Sequence, residues 1–547
     1  MKICVLHSAS EGRVEDTEGL WSDPGLYIAE HTFEHRFIKK DTAEAQIDAA
    51  VAEGFDFYIN FMWGMLGDNF AGIAAIKYLE SLHLPFAGIR SFERERTKYQ
   101  FYVEARRLGT PAVPGNTNFP LFVRPAIDYA SQLVNEHSIC HTEEELEFTI
   151  RRLHGKMRDS RVRRARALGV DDPDRYVREC EAAGRNSSDL VVQEFIDGEE
   201  YAVAVLAMGD VPVPLSPQVV KHTKRLPGKE QFLTFDVKFD SGTTYELLDE
   251  ENSPELYRHL QDTAVEAFRT CQMHTTRTGC DVDLRVGSDG TAYVIEVDPL
   301  PVYFLPVGSL FEDKDVVRDL PGGYRAAVNI FITNYSIHHP EKRADKRQQL
   351  AEFHDQEAPW YDTLQLNSSI ILEIAGTISG SVLDLGCGTG VLGHILRGNQ
   401  QEAHRISRLI GVDVSSGMLN VCRQGGWYDD VILEDMLRFL AHYNTPVDHV
   451  FCLSTLHFFS AEELDFILAR CFLLAKRSII LTIDESFDSV RTHMKQNVSI
   501  SGYFTNHVNN TKSFVLPRSW DLSSKTRCDS SSTRCATTFI FTRRKAL

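Results

Sequence analysis

Residues 381–390 read SVLDLGCGTG, and residues 391–398 continue VLGHILRG. An apolar run before three closely spaced glycines predicts a β-strand, a tight loop and then a helix. Gly386, Gly388 and Gly390 let the backbone approach a ligand, and the helix N-terminus that follows favours polar or anionic groups. Downstream, RLIGVDVS predicts a second strand ending in Asp413, 413 − 390 = 23 residues past the last glycine. An acid at that distance is placed to accept hydrogen bonds from ribose hydroxyls. The same alternation runs both ways along the chain. KICVLH, FDFYINF, LFVRP, LVVQEFI, VDHVFCL and RSIILTI are short apolar runs separated by helix-period stretches, which predicts an α/β protein.

The chain has 547 residues, room for about three or four domain-sized units. Hydrophobic residues make up 43% and charged residues 25%, ordinary for a globular protein, which excludes a mainly disordered or collagen-like chain. The net charge of −19 argues against nucleic acid as a partner, because phosphate neutralisation needs surplus Lys and Arg. The basic run RRLHGKMRDSRVRRARALG (151–169) reads as a solvated helix face. No apolar run is long enough to span a membrane, and the first strand-like residues lack the apolar core of a signal peptide. The 11 cysteines are scattered with no CxxC pair, as expected of reduced thiols in a cytoplasmic protein. One composition break stands out. Residues 337–359 are charged, polar and weakly apolar, and read as a linker or bridging helix between 1–336 and 360–547.

The densest chemistry of the first half lies in GCDVDLRVGSDGTAYVIEVDPLP (279–301). Asp283 sits on one apolar strand, and Glu296 and Asp298 sit two apart on the next, hence on one face. GSDG between them predicts the hairpin turn. Paired, these strands bring three carboxylates together, hard oxygens suited to Mg²⁺ carrying nucleotide phosphates.

Taken in order, GDNFAGIAAIKYLESLHLPFAG, TKYQFYVEARRLGTPAVP, FVRP, VVQEFIDGEEY and this hairpin resemble the ATP-grasp fold, most closely its D-alanine–D-alanine ligase-like branch. The resemblance implies ATP bound by Lys98, Arg124 (a lysine in most of the family), Ser131 and Lys238. It implies adenine against Gln193, Glu194 and Ile196, ribose at Glu200, and Mg²⁺ on Asp283, Glu296 and Asp298. Lys238 and Arg124 would offset phosphate charge as a substrate carboxylate is phosphorylated and an amine displaces the phosphate. Departures from the branch tell against D-alanyl-D-alanine synthesis. The loop IDYASQLVNEHS has no glycine, Asp281 replaces the substrate-side Arg, and Val302 replaces a glycine.

The second half, 360–486 especially, resembles class I S-adenosylmethionine-dependent methyltransferases of the small-molecule type 11 kind. The loop is G-x-G-x-G after Asp384, and DVSSGML, LEDML and VFCLSTLHFF follow in order. The implied cofactor contacts are Asp384, Gly386, Gly388, Asp413, Met418, Asp435 and Met436. His457, after the fourth strand, can accept the acceptor's proton or form a pocket wall.

The expected architecture is therefore multidomain α/β, an ATP-grasp fold followed by a Rossmann-like methyltransferase fold. The expected function is a bifunctional one, with ATP, Mg²⁺ and S-adenosylmethionine as cofactors. A carboxylate–amine ligase would act beside a methyltransferase on an amino-acid-derived or peptide-like metabolite. The alternative is a methyltransferase carrying a catalytically inactive ATP-grasp-like binding module. Partners are small-molecule carboxylates and amines, with neither nucleic acid nor membrane. A homodimer stays open, since ligases of this branch are commonly dimers.

Overall fold

A computed structural model describes residues 1–9, 21–65, 70–127, 133–167, 169–184, 189–222, 232, 243–300, 303–305, 316–361, 368–398, 403–486, 507–528 and 534–544. The chain forms two compact units, Met1–Ala207 with Pro212–Val317, and Met208–Val211 with Arg318–Leu547.

The first unit opens with β1 (Lys2–Ala9), β2 (Thr32–Lys39), β3 (Phe57–Phe61) and β4 (Phe86–Gly88), a parallel sheet in the order β2-β1-β3-β4. β5 (Leu121–Pro125), β6 (Ile139–Cys140) and β7 (Leu190–Glu194) form a small antiparallel sheet, with β5 central. A larger antiparallel sheet comprises β8 (Glu199–Met208), β9 (Val211–Pro214), β10 (Gln218–His222), β11 (Thr243–Leu247), β12 (Gly279–Val286) and β13 (Ala292–Asp298). Its order is β11-β10-β8-β12-β13, with β9 paired to β8. Alternation decides which face of this sheet is wet. Cys280, Val282 and Leu284 are buried in a core with Leu260, Ala264 and Phe268 of the helix Pro254–Thr270, while Asp281 and Asp283 point the other way.

The basic run lies on the helix Glu143–Ala167, where Arg161 meets Glu181 at 2.7 Å and Arg158 meets Asp174 at 3.7 Å. That matches a solvated face laced with acids.

In the second unit β14 (Gly380–Leu385), β15 (Ile406–Asp413), β16 (Asp430–Leu433), β17 (Val447–Leu453), β18 (Ala475–Ser486), β19 (Trp520–Cys528) and β20 (Arg534–Arg543) make one sheet in the order β16-β15-β14-β17-β18-β20-β19. The first five strands run parallel and the last two antiparallel to their neighbours. Parallel strands are covered on both faces, so β14 reads as an unbroken apolar run rather than an alternation. Strand order reverses at β14, and the crevice outside its carboxyl end is where such sheets bind ligands. Among the described residues no helix is long and apolar enough to cross a membrane, and nine cysteines are buried and free of disulfides.

The segment 337–359, read from sequence as a linker or bridging helix, is helical over Ala344–Glu357 and belongs to the second unit. So does the helix Gly323–His338, whose Arg325 forks onto both oxygens of Asp465 at 2.9 and 3.0 Å. Asn329 donates to the same buried carboxylate at 2.7 Å.

Candidate functional site

The first candidate site lies on the open face of the β12–β13 hairpin. Register sets Asp283 opposite Glu296 and Asp281 opposite Asp298. Cations from three separate elements meet these acids. Lys98, at the start of the helix Lys98–Leu108, reaches Glu296 at 2.9 Å, and Arg124 of β5 reaches it at 3.4 Å. Arg94 reaches Asp298 at 3.3 Å and donates to the Trp63 carbonyl at 2.8 Å. The three cationic side chains are 5–9% exposed, so they are held in place by the fold rather than waving in solvent. Lys98 is set by a capping box, in which Thr97 and Gln100 bond each other's backbone N–H groups. Lys98, Arg94, Glu296, Asp298, Met65 and Cys271 are among the residues lining the cleft here. Burial pushes the Cys271 thiol up to about 11, which suits packing rather than nucleophilic attack.

Other expected residues are placed differently. Gln193 is buried and accepts from the Tyr102 hydroxyl at 2.8 Å. Glu194 holds the 115–118 loop, accepting from Asn118 N at 3.0 Å and from its Nδ2 at 2.8 Å. Ile196 follows β7, and Glu200 on β8 lies 3.7 Å from Arg285, its cross-strand neighbour on β12. Ser131 and Lys238 lie outside the described residues. Among the described residues no three Asp, Glu, His or Cys side chains are grouped to hold a metal ion; Glu296 pairs with Lys98 and Asp298 with Arg94. The donor set itself has the right chemistry for Mg²⁺, carboxylates at adjoining positions of one sheet face.

The second site is the crevice beyond β14. Of the expected cofactor residues, Gly386, Gly388, Asp413, Met418, Asp435 and Met436 line it. Two glycines are required by geometry. Gly386 has φ +76°, and a Cβ there would lie 2.4 Å from Thr455 Oγ1. Gly388 has φ +54°, and among the described residues a Cβ there would meet Tyr361 alone, at 3.8 Å. Asp413 fixes the loop, since Gly388 N donates to one of its oxygens and Ser415 N to the other, each at 2.9 Å. Burial nonetheless holds the Asp413 carboxyl above its ordinary range.

Asp384 is not among the residues lining the crevice. It is buried beneath the loop and accepts from the Tyr428 hydroxyl at 2.5 Å. Burial pushes it up to about 7; the Tyr428 hydrogen bond pulls it down and the Asp413 carboxylate adds to the rise. A carboxyl that keeps its proton more tightly when folded makes stability fall as pH climbs from its unfolded value near 4 toward 7. We expect Asp384→Asn to remove this fall, on the order of 4 kcal/mol at most. The variant should gain on the native chain in melting temperature as pH rises through that window. A difference that stays constant across it would refute the assignment.

His457 is 7% exposed and is not among the described residues lining the crevice. Burial, with His354 and His507 nearby, lowers its pKa to about 3, which makes it a poor proton acceptor. Neither expected role, proton acceptor or pocket wall, finds support in that placement.

Of the lining residues that the sequence reading missed, Arg343, Arg347, Leu350 and His354 fall in 337–359. Arg343 grips Asp435 at 3.0 Å and Glu463 at 2.8 Å. Asp355 accepts from Ser415 Oγ at 2.6 Å and from Gly417 N at 2.7 Å, tying this helix to the strand-end acid's own loop. The signal that would have found them is the spacing 343, 347, 350, 354, one face of a helix.

Residues 382–478 match the family model described as a methyltransferase domain. Residues 169–304 match the one described as the D-ala D-ala ligase C-terminus. The chain thus carries an ATP-grasp ligase-like region and a methyltransferase-like region, both of enzyme families. A D-alanine–D-alanine ligase of Pseudothermotoga lettingae is 27% identical over 117 residues, 21% of this chain and 35% of that protein. One from Geotalea uraniireducens is 29% identical over 126 residues, 22% of this chain and 34% of that protein. The chain therefore spans about a third of the length of these curated relatives. Among solved structures, magnesium protoporphyrin IX methyltransferase of Synechocystis PCC 6803 aligns over 39% of this chain and 99% of its own, with TM-score 0.26 and 18% identity.

Proposed function

We propose that the chain is a bifunctional enzyme. One region is an ATP- and Mg²⁺-dependent carboxylate–amine ligase. The other is an S-adenosylmethionine-dependent methyltransferase acting on an amino-acid-derived or peptide-like small metabolite. The observation that carries the ligase reading is the convergence of the little-exposed side chains of Lys98 and Arg124, from separate elements, on Glu296. Desolvating two cations against a single carboxylate is costly and leaves positive charge in excess, which a bound polyanion would offset. ATP would supply the phosphoryl group that activates the substrate carboxylate. Lys98 and Arg124 would pass from Glu296 to the phosphates and offset their charge. That exchange frees Glu296, with Asp283 and Asp298, to hold Mg²⁺. Arg124 forks where a lysine would place a point charge, and its second nitrogen already donates to the Ile295 carbonyl at 2.6 Å, which fixes its plane.

In the other region, S-adenosylmethionine would supply an electrophilic methyl group. Asp413 would accept from the ribose, Met418 and Met436 would pack its base, and the Gly386–Gly388 backbone would admit its amino-acid end. Positioning does most of the rest.

The test is to incubate the chain with ATP, Mg²⁺ and an amino-acid library, in parallel with methyl-labelled S-adenosylmethionine. ADP release that requires a carboxylate substrate supports the ligase. Label entering small molecules with no carboxylate-dependent ADP release would favour the inactive-module alternative, to which the glycine-free loop at 127–138 points.

A further inference from the structure

The helix Ala344–Glu357 has no fully buried residue, yet it presents one face to the second crevice. Arg343 is committed to Asp435 and Glu463. His354, farther along that face, is the one imidazole among the described residues that line the crevice. It shares that lining with Gly388, Asp413 and Thr455. The Phe458 ring stands edge-on to it, with centroids 5.4 Å apart. Its Nδ1 faces Glu357 Oε2 at 3.7 Å, one turn on. We propose that His354 is the catalytic proton acceptor of methyl transfer, with Glu357 as its positioning residue. The inference rests on the methyltransferase reading and narrows its acceptor to an N–H or O–H nucleophile, a group that must shed a proton.

The step balances as follows. The acceptor's heteroatom forms a bond to the sulfonium methyl carbon, and the S–CH₃ bonding pair returns to sulfur, leaving a thioether. The proton on the heteroatom passes to His354 Nε2. His354 Nδ1 is buried and makes no hydrogen bond among the described residues, which leaves Nε2 as the acceptor, and the Glu357 carboxylate, 3.7 Å from Nδ1, would steady the imidazolium that results through its charge. Among the described residues, the titratable groups that interact with His354 are Asp355 and Glu357 on its own helix, Asp413 at the end of β15, and His457 on the turn after β17.

Two measurements on the full chain test this. In the first, S-adenosylhomocysteine affinity is measured by calorimetry for the native chain, His354→Gln and Glu357→Gln. The His354 C2–H resonance, assigned by its loss in His354→Gln, is followed against pH in the complex. Affinity should stay within about threefold, and Glu357→Gln should move the His354 midpoint to lower pH. In the second, methyl-labelled S-adenosylmethionine is offered with an ultrafiltered cell extract as the acceptor pool. His354→Gln should lose about 100-fold or more in label transfer and the acid limb of its pH profile, and added imidazole should restore part of the rate to His354→Ala. Retention of rate and limb by His354→Gln, or their loss in His457→Gln instead, overturns the proposal. Failure of the native chain to bind S-adenosylhomocysteine overturns the reading beneath it.

Discussion

Glu296→Gln is expected to lower carboxylate-dependent ADP release by at least about 100-fold and to leave S-adenosylhomocysteine affinity unchanged. The side chain keeps its size, so the hairpin keeps its packing. What disappears is the negative charge facing Lys98 at 2.9 Å and Arg124 at 3.4 Å, and with it one of the two oxygens that the proposed Mg²⁺ would use. Glu296 is 25% exposed, so water relieves part of the imbalance and the stability cost should be about 1–3 kcal/mol, less than for a fully buried pair. A melting curve separates that cost from loss of the reaction. Unchanged ADP release would remove Glu296 from the chemistry and would leave the cation cluster as an element of structure alone.

Asp413→Asn should weaken S-adenosylhomocysteine binding by about 100-fold, close to 2.7 kcal/mol. The native carboxylate offers one oxygen to Gly388 N and the other to Ser415 N. An amide offers a single oxygen, and its NH₂ must then face a backbone donor. The glycine loop would relax at Gly388, which lines the crevice, and a ribose hydroxyl would lose its acceptor. Calorimetry decides, and an affinity within about threefold of the native value would refute the role.

Both glycine loop and strand-end acid were legible in the sequence because their constraints are local. Gly386 adopts a positive φ in its own tight loop, and Asp413 bonds a backbone N–H only 25 positions away. The carboxylate hairpin was legible for the same reason, since alternation over eight residues says which face is wet. Arg94 was not, because it lies on a five-residue helix and its acid is 204 positions off. Tyr428 was hidden in the GGWYDD turn, although a Cβ on Gly393 or Gly411 would strike its ring at 2.3 or 2.9 Å. For the polar stretch 337–359, hydropathy left linker and bridging helix undecided, and the structure makes it helical over Ala344–Glu357. A helix whose inner face lines a charged crevice has as little apolar character as a tether.

That helix has a practical consequence for anyone dividing the gene. An expression fragment starting at codon 360 would shed the crevice wall bearing Arg343 and His354, and would strand buried Asp465 without the Arg325 fork. A fragment starting at codon 318 retains both, so a soluble but inert product of the shorter clone would report the cut and not the enzyme.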